Sequence, residues 1–297
     1  MIYKWQVNRE DPHKLGSFLY KYGFSRTQLK QLKFHGGMVF VNHKQRQFSY
    51  PVHSADEVIV VLPTEIGSDK IVPMHHSLDI VYEDNNYLIV NKPPHLASLP
   101  DKGHKSASLA NYVKAYLQDI NSENDAIHLV SRLDRDTSGI ITFAKNSYAH
   151  SILAGEFRTD KVTKEYYAVV SGNFTESELN GLIDEPIGIN TQNHNLRWVK
   201  SDGKPSQTRY RVIEQFNNYS LVKVRLITGR THQIRVHFSY LGHPLLGDQM
   251  YGGPTNLIDR QALHCFHFKF WDAINNQEIN LKAAVPEDIS KLVEEGR

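Results

Sequence analysis

Cysteine is almost absent from this chain of 297 residues, with Cys265 the only one. That excludes an intramolecular disulfide and fits a reducing compartment. No apolar run approaches the length of a membrane span, and the N-terminus lacks the apolar core of a signal peptide. A soluble cytoplasmic protein is expected. Charge of one sign is scarce too: 34 Lys and Arg stand against 32 Asp and Glu, a net charge of +2 too mild to specify a polyanionic partner. There is no internal repeat, low-complexity tract, P-loop or dinucleotide-binding glycine pattern, so no cofactor is expected. Sixteen His suggest a metal, with His264-Cys265-x-His267 the tightest cluster. It lies in the strand-like run ALHCFHFKF, where alternation sends residue 265 to the opposite face from 264. No second Cys pair completes a zinc pattern, so no metal is expected.

The hydrophobic content of 40% suffices for one large domain and one small one. Residues 1–66 form the small unit and hold nine Lys or Arg against five Asp or Glu, a local +4 that leaves −2 for the rest. Such a concentration is what phosphate attraction needs. Leu15, Phe18 and Leu19 recur at helical spacing. Ser25 then caps a second helix carrying Leu29 and Leu32, and Gly36-Gly37 breaks the pattern. MVFVN and DEVIVVLP read as strands. Residues 67–76 have no periodicity and read as a linker, residues 77–290 as the larger unit, and 291–297 as a C-terminal tail. In the larger unit DIVYE and YLIVN flank the turn Asp84-Asn85-Asn86 as a hairpin. SLANYVKAYLQDI and THQIRVHFSYLG read as helices, whereas YYAVV, TRYRVIEQF, SLVKVRLIT and FHFKFWD read as strands. Strands dominate, so the fold class is α+β, a largely antiparallel mixed β-sheet flanked by helices.

The densest chemistry lies in HLVSRLDRDTSGIITFAKN, residues 128–146. Arg132, Asp134, Arg135 and Asp136 put two bases and two acids into five residues just before a buried-looking strand, where unpaired charge is costly. RLDRDTSG closely resembles the signature of the RluA-type RNA pseudouridine synthases. TKEYYAVVSG (163–172) resembles their second motif, and LITGRTHQIRVHFSYLGHPLLGD (226–248) resembles the third almost without interruption. YLIVNKPPHLASLP (87–100) is a weaker match to the opening of the catalytic domain. The small unit is similar to the S4-like RNA-binding domain that often precedes it.

The resemblance implies an isomerase that converts specific uridines of RNA, ribosomal RNA above all, to pseudouridine. It implies Asp134 as the catalytic carboxylate, Tyr166 as the active-site tyrosine and Arg230 as the active-site arginine and counter-charge. Arg132 resembles the arginine that enters the space left by a flipped base, and Arg135 is a further candidate for backbone contact. RNA contacts in the S4-like unit would come from Lys14, Lys21, Arg26, Lys30, Lys33 and Lys44. A monomer acting on RNA, with no DNA or membrane partner, is expected. Two departures stand out: Ser131 where the family commonly has His, and His95 where it commonly has Gly. Two other readings compete, a catalytically silent RNA-binding or ribosome-assembly factor and a hydrolytic nucleoside N-glycosidase. The geometry that the isomerase reading requires is a cleft where Asp134, Tyr166 and Arg230 converge, with Arg230 hydrogen-bonded to Asp134.

Overall fold

A computed structural model describes residues 1–100, 107–120, 122, 124–159 and 161–297. Near the N-terminus, strands β1 (Ile2–Gln6), β2 (Met38–Val41), β3 (Lys44–Gln45) and β4 (Glu57–Val61) pair antiparallel in the order β1-β4-β2-β3. Helices α1 (Leu15–Lys21) and α2 (Arg26–Phe34) join β1 to β2. Their Leu15, Phe18, Leu19, Leu29 and Leu32 share one core with Val39, Val41, Val58 and Val60. Ser25 caps α2 as its sequence suggests: its hydroxyl accepts the Gln28 N–H at 3.2 Å, and the Gln28 side chain accepts the Ser25 N–H at 2.8 Å. Strand β1 escaped the sequence pattern because IYKWQ buries only Tyr3 fully.

The larger sheet contains β5 (Ile80–Glu83), β6 (Tyr87–Lys92), β7 (His128–Leu129), β8 (Ser138–Ala144) and β9 (Thr163–Ser171). Its remaining strands are β10 (Asn180–Asp184), β13 (Gln207–Gln215), β14 (Tyr219–Leu226), β15 (Leu263–Asp272) and β16 (Gln277–Lys282). A separate hairpin is formed by β11 (Ile187–Ile189) and β12 (Arg197–Val199). The sheet order is β10-β13-β14-β9-β15-β8-β6-β5, with β16 on β15 and β7 on β8. Among the described strands only β8 and β15 pair in parallel. The helices are α3 (Leu109–Asp119), α4 (Ser147–Glu156), α5 (Gln233–Tyr240) and α6 (Glu287–Gly296). No described helix is long and apolar enough to cross a membrane.

Two segments differ from the sequence expectation. Residues 291–297 are not a loose tail: most belong to α6, which buries Ile289 and Leu292, and Arg297 pairs with Glu214 at 2.9 Å. Residues 67–76 lack regular structure but are not free. Gly67 N–H donates to Asp125 at 2.6 Å, and Asn111 and Lys114 on α3 donate to the carbonyls of Val72 and Ser68. The two units keep separate hydrophobic cores but meet across an aromatic seam. Tyr148 of α4 stacks on Phe24 with ring centroids 4.3 Å apart and donates its hydroxyl to the Tyr22 carbonyl at 2.8 Å. Tyr3 meanwhile donates to Asn86 at 2.7 Å. Removing residues 1–66 would expose this aromatic seam.

Gly139, the glycine of the TSG triplet, sets where β8 meets β15. It has φ +113°, and a Cβ there would stand 2.3 Å from the Cys265 carbonyl oxygen. Both strain and contact exclude any other residue. Gly139→Ala should cost about 2–4 kcal/mol, visible as a large drop in melting temperature. An unchanged transition would contradict this account of the parallel junction.

Candidate active site

The loop that enters β8 is tied down at alternate residues. Lys164, buried on β9, donates to the Ser131 hydroxyl at 2.6 Å. Ser98 Oγ donates to the Leu133 carbonyl at 2.7 Å and accepts the Leu133 N–H at 3.3 Å. Lys92, wholly buried at the end of β6, gives its ammonium to the carbonyls of Pro93, Leu96 and Arg135, each at 2.8 Å. Three acceptors match the three donors of an ammonium, although burial pushes its pKa down to about 7. With residues 131, 133 and 135 held, Arg132 and Asp134 are left to line a cleft together with Tyr166, Arg230, His232 and Arg235.

Within the cleft Asp134 pairs with Arg235, not Arg230. Arg235 Nη1 donates to Asp134 Oδ2 at 3.1 Å. Its Nε and Nη2 grip both oxygens of the buried Asp248 at 2.7 and 2.8 Å, and the guanidinium lies 4.9 Å over the Tyr251 ring. Burial works against the charge, but the bonds to Asp248 and the field of Asp134 outweigh it and hold the guanidinium protonated. Arg230 is exposed at the rim and donates to the Pro205 carbonyl at 3.1 Å. The expected Arg230–Asp134 bond is therefore absent. The reason is local: His232 adopts φ 57°, in the left-handed region, and turns the chain before α5 starts. Arg235 is then carried inward on α5 while Arg230 stays on the approach.

Oδ1 of Asp134 accepts no hydrogen bond from any described residue, and the side chain keeps 28% of its exposure. One oxygen is fixed and the other is left to a ligand. His232 stands 3.9 Å from Asp134, and burial depresses its basicity, with Arg235 adding to the effect. Tyr166 is buried at the back, where burial, reinforced by Cys265 and Asp134, pushes its hydroxyl well above the usual phenol range. It is a neutral ring whose hydroxyl keeps its proton. The cleft measures about 70 Å³, small beside the ~300–1,000 Å³ of a drug-sized pocket.

Arg132 is exposed and has no partner among the described residues, whereas Arg135 forks onto Asp136 at 3.0 and 3.1 Å. His264 pairs with Ser138 at 3.0 Å and His267 with Glu165 at 2.8 Å, so each is engaged by a partner of its own. Among the described residues no group of three His, Cys, Asp or Glu could hold a metal ion. Sequence reasoning missed Asp248 and Lys92, read Lys164 only as part of the second motif, and held Arg235 as the substitute should Arg230 stand away from Asp134. The signal was available for Arg235, a charge inside the apolar run Ile234 to Phe238, where an unpaired cation could not survive.

A fixed carboxylate, a buried arginine and a neutral tyrosine round one small cleft mark the candidate active site of an enzyme. Comparison with known proteins says which. The family model of RNA pseudouridylate synthase matches residues 86–240. The chain is 40% identical over 271 residues to an uncharacterized RNA pseudouridine synthase, YjbO, of Bacillus subtilis, covering 91% of this chain and 95% of that protein. It is 37% identical over 250 residues to ribosomal large subunit pseudouridine synthase D of Yersinia pestis, covering 79% and 76%. Among solved structures, human RNA pseudouridylate synthase domain containing 4 shares the fold with a TM-score of 0.59 at 22% identity, over 72% of this chain and 91% of that one. The chain belongs to the RNA pseudouridine synthase family, and its activity is the isomerisation of uridine in RNA.

Two outcomes follow from the cleft. Arg235→Leu should cost about 3–5 kcal/mol in urea unfolding, because Asp248 would be left buried and unpaired. Arg230→Leu should stay within about 0.5 kcal/mol of wild type; equal losses would contradict the division between them. The second outcome concerns pH. Burial pushes His264 down to about 4, below the ~6.5 of an unfolded His. Between these values the unfolded chain binds more protons, so the folded state loses stability as pH falls from 6.5 towards 4. His264→Leu should flatten that part of the stability profile, and an unaltered profile would contradict a buried neutral His264.

Proposed function

We propose that this enzyme modifies ribosomal RNA of the large subunit, with Asp134 as its catalytic carboxylate. Support for the target comes from the relative in Yersinia pestis, named for the large ribosomal subunit. Support for the role of Asp134 comes from one observation: one of its oxygens is anchored by Arg235 while the other is open to the cleft. The reaction breaks the N1–C1′ bond, turns the uracil and joins C5 to C1′. The C5 proton is lost to solvent and N1 gains one, so no redox agent or phosphoryl donor is required. A carboxylate beside an electron-poor anomeric carbon is what glycosidic cleavage demands. Arg235 orients that carboxylate and balances its charge, the role first expected of Arg230. Tyr166 supports the uracil ring and can hand over or receive a hydrogen bond as the base turns.

A stacked uridine must leave its helix, at a cost of about a few kcal/mol. Arg132, exposed and unpartnered beside Asp134, is suited to fill the gap. Arg135 is bound to Asp136 and contributes less. The N-terminal unit acts as an S4-like RNA-binding domain. Lys14, Arg26, Lys30, Lys33 and Lys44 are exposed there for phosphate contact, while Lys21 is tied to the buried Asp11 at 2.6 Å. Lys30→Ala with Lys33→Ala should therefore lower the slope of log affinity against log salt by about 0.9 for each phosphate these lysines neutralise. Mapping pseudouridine across the ribosomal RNA of cells with and without this gene tests the target. At least one large-subunit uridine should remain unmodified without it. Identical maps for ribosomal RNA would overturn that target.

A further inference from the structure

Neighbouring residues of a strand face opposite sides of a sheet. Tyr166 and Leu226 line the catalytic cleft, so Glu165 and Arg225 belong to the other face. That outer face holds a concavity of about 510 Å³ lined by Arg209 and Arg211 of β13 and by Lys223 and Arg225 of β14. The register sets Arg209 directly opposite Arg225, and Arg211 directly opposite Lys223. Like charges opposed across a strand pair destabilise a sheet. Glu165 is the only carboxylate lining the trough, and it is already engaged by Lys223 at 2.9 Å and His267 at 2.8 Å. The three arginines are exposed and have no hydrogen-bond or ion-pair partner among the described residues.

We propose that this outer face is a second RNA-binding surface, on which Arg209, Arg211 and Arg225 hold the phosphate backbone of substrate RNA flanking the target uridine. The inference rests on the RNA-modifying activity of the cleft and extends it to a surface outside the active site. Residues two apart on a strand are separated by roughly 6.6–6.8 Å, so the array is a ladder of fixed cations with guanidinium forks suited to phosphate oxygens. An acidic protein would also meet the charge, but a protein interface is built round buried apolar anchors. Leu182 is the single aliphatic side chain lining the trough. Leu226 faces the cleft and Arg225 the trough, so the two surfaces meet at the end of β14.

The test uses the full-length chain and two RNAs transcribed without modification: large-subunit ribosomal RNA, and a short stem–loop carrying a target uridine. Binding is measured against salt for wild type, for Arg209→Gln/Arg211→Gln/Arg225→Gln, and for the same three positions changed to Lys. The Gln variant should bind the long RNA with a salt slope lower by about 2–3, since each neutralised phosphate contributes roughly 0.9. The Lys variant should restore most of that slope. Removing Lys161, Lys282 and Lys291 instead should leave the slope unchanged, which separates this face from bulk charge. The Gln variant should also melt at a higher temperature than wild type, because the opposed charges are gone; this excludes misfolding as the cause of weaker binding. An unchanged slope on the long RNA, with wild type still forming pseudouridine, overturns the second surface alone. It would leave an acidic protein as the occupant to seek. A wild-type chain that binds RNA but forms no pseudouridine in either RNA would overturn the activity instead.

Discussion

The cleft depends on one guanidinium that serves two carboxylates. Arg235 is buried, and a buried cation persists only with its donors satisfied and its charge met. Asp248 supplies both through a two-pronged grip, and Asp134 takes the remaining edge. The arrangement is asymmetric in a useful way. Asp248 is buried and structural, with a side chain 1% exposed, while Asp134 keeps 28% and one open oxygen. Arg is required at this position because a lysine could not present three donors in one plane to two partners.

The loop that carries Asp134 is held with similar economy. Two buried lysines and a serine anchor residues 131, 133 and 135, and the intervening residues are presented to the cleft. The departures at Ser131 and His95 acquire a physical meaning here. Ser131 is the acceptor for Lys164 at 2.6 Å, which satisfies a lysine that burial would otherwise penalise. His95 sits at φ 59°, a conformation that glycine adopts without a Cβ penalty. Its ring lies 3.3 Å from Asp136, so the strain of a side chain there comes with a contact that glycine could not make.

Much of the fold was legible because its signals were local. The capping box at Ser25, the hairpin round Asp84 and the amphipathic α3 stand where periodicity puts them. Helices α4 and α6 were missed because short surface helices depend on what they dock against: α4 buries Tyr148 between the two units, and α6 packs through Leu292 on Tyr219. At the site the sequence brought Asp134, Tyr166 and Arg230 to one cleft, but could not choose between two arginines five residues apart. That choice is made by the left-handed turn at His232, which no pattern of side chains announces. The basic trough was invisible for a related reason. Arg209, Arg211, Lys223 and Arg225 form an array only through the register of β13 on β14.

The central claim is that the open oxygen of Asp134 performs the chemistry in a cleft organised by Arg235. Joining C5 to C1′ must expel the hydrogen at C5, so RNA labelled with tritium at uridine C5 reports each turnover directly. With wild type, tritium should enter solvent while every base stays in the RNA chain. Asp134→Asn, which keeps the loop and can still accept a bond from Arg235, should bind the RNA and release none. Release by that variant within about tenfold of wild type, a difference of only ~1.4 kcal/mol in the barrier, or free uracil among the wild-type products, would contradict the account.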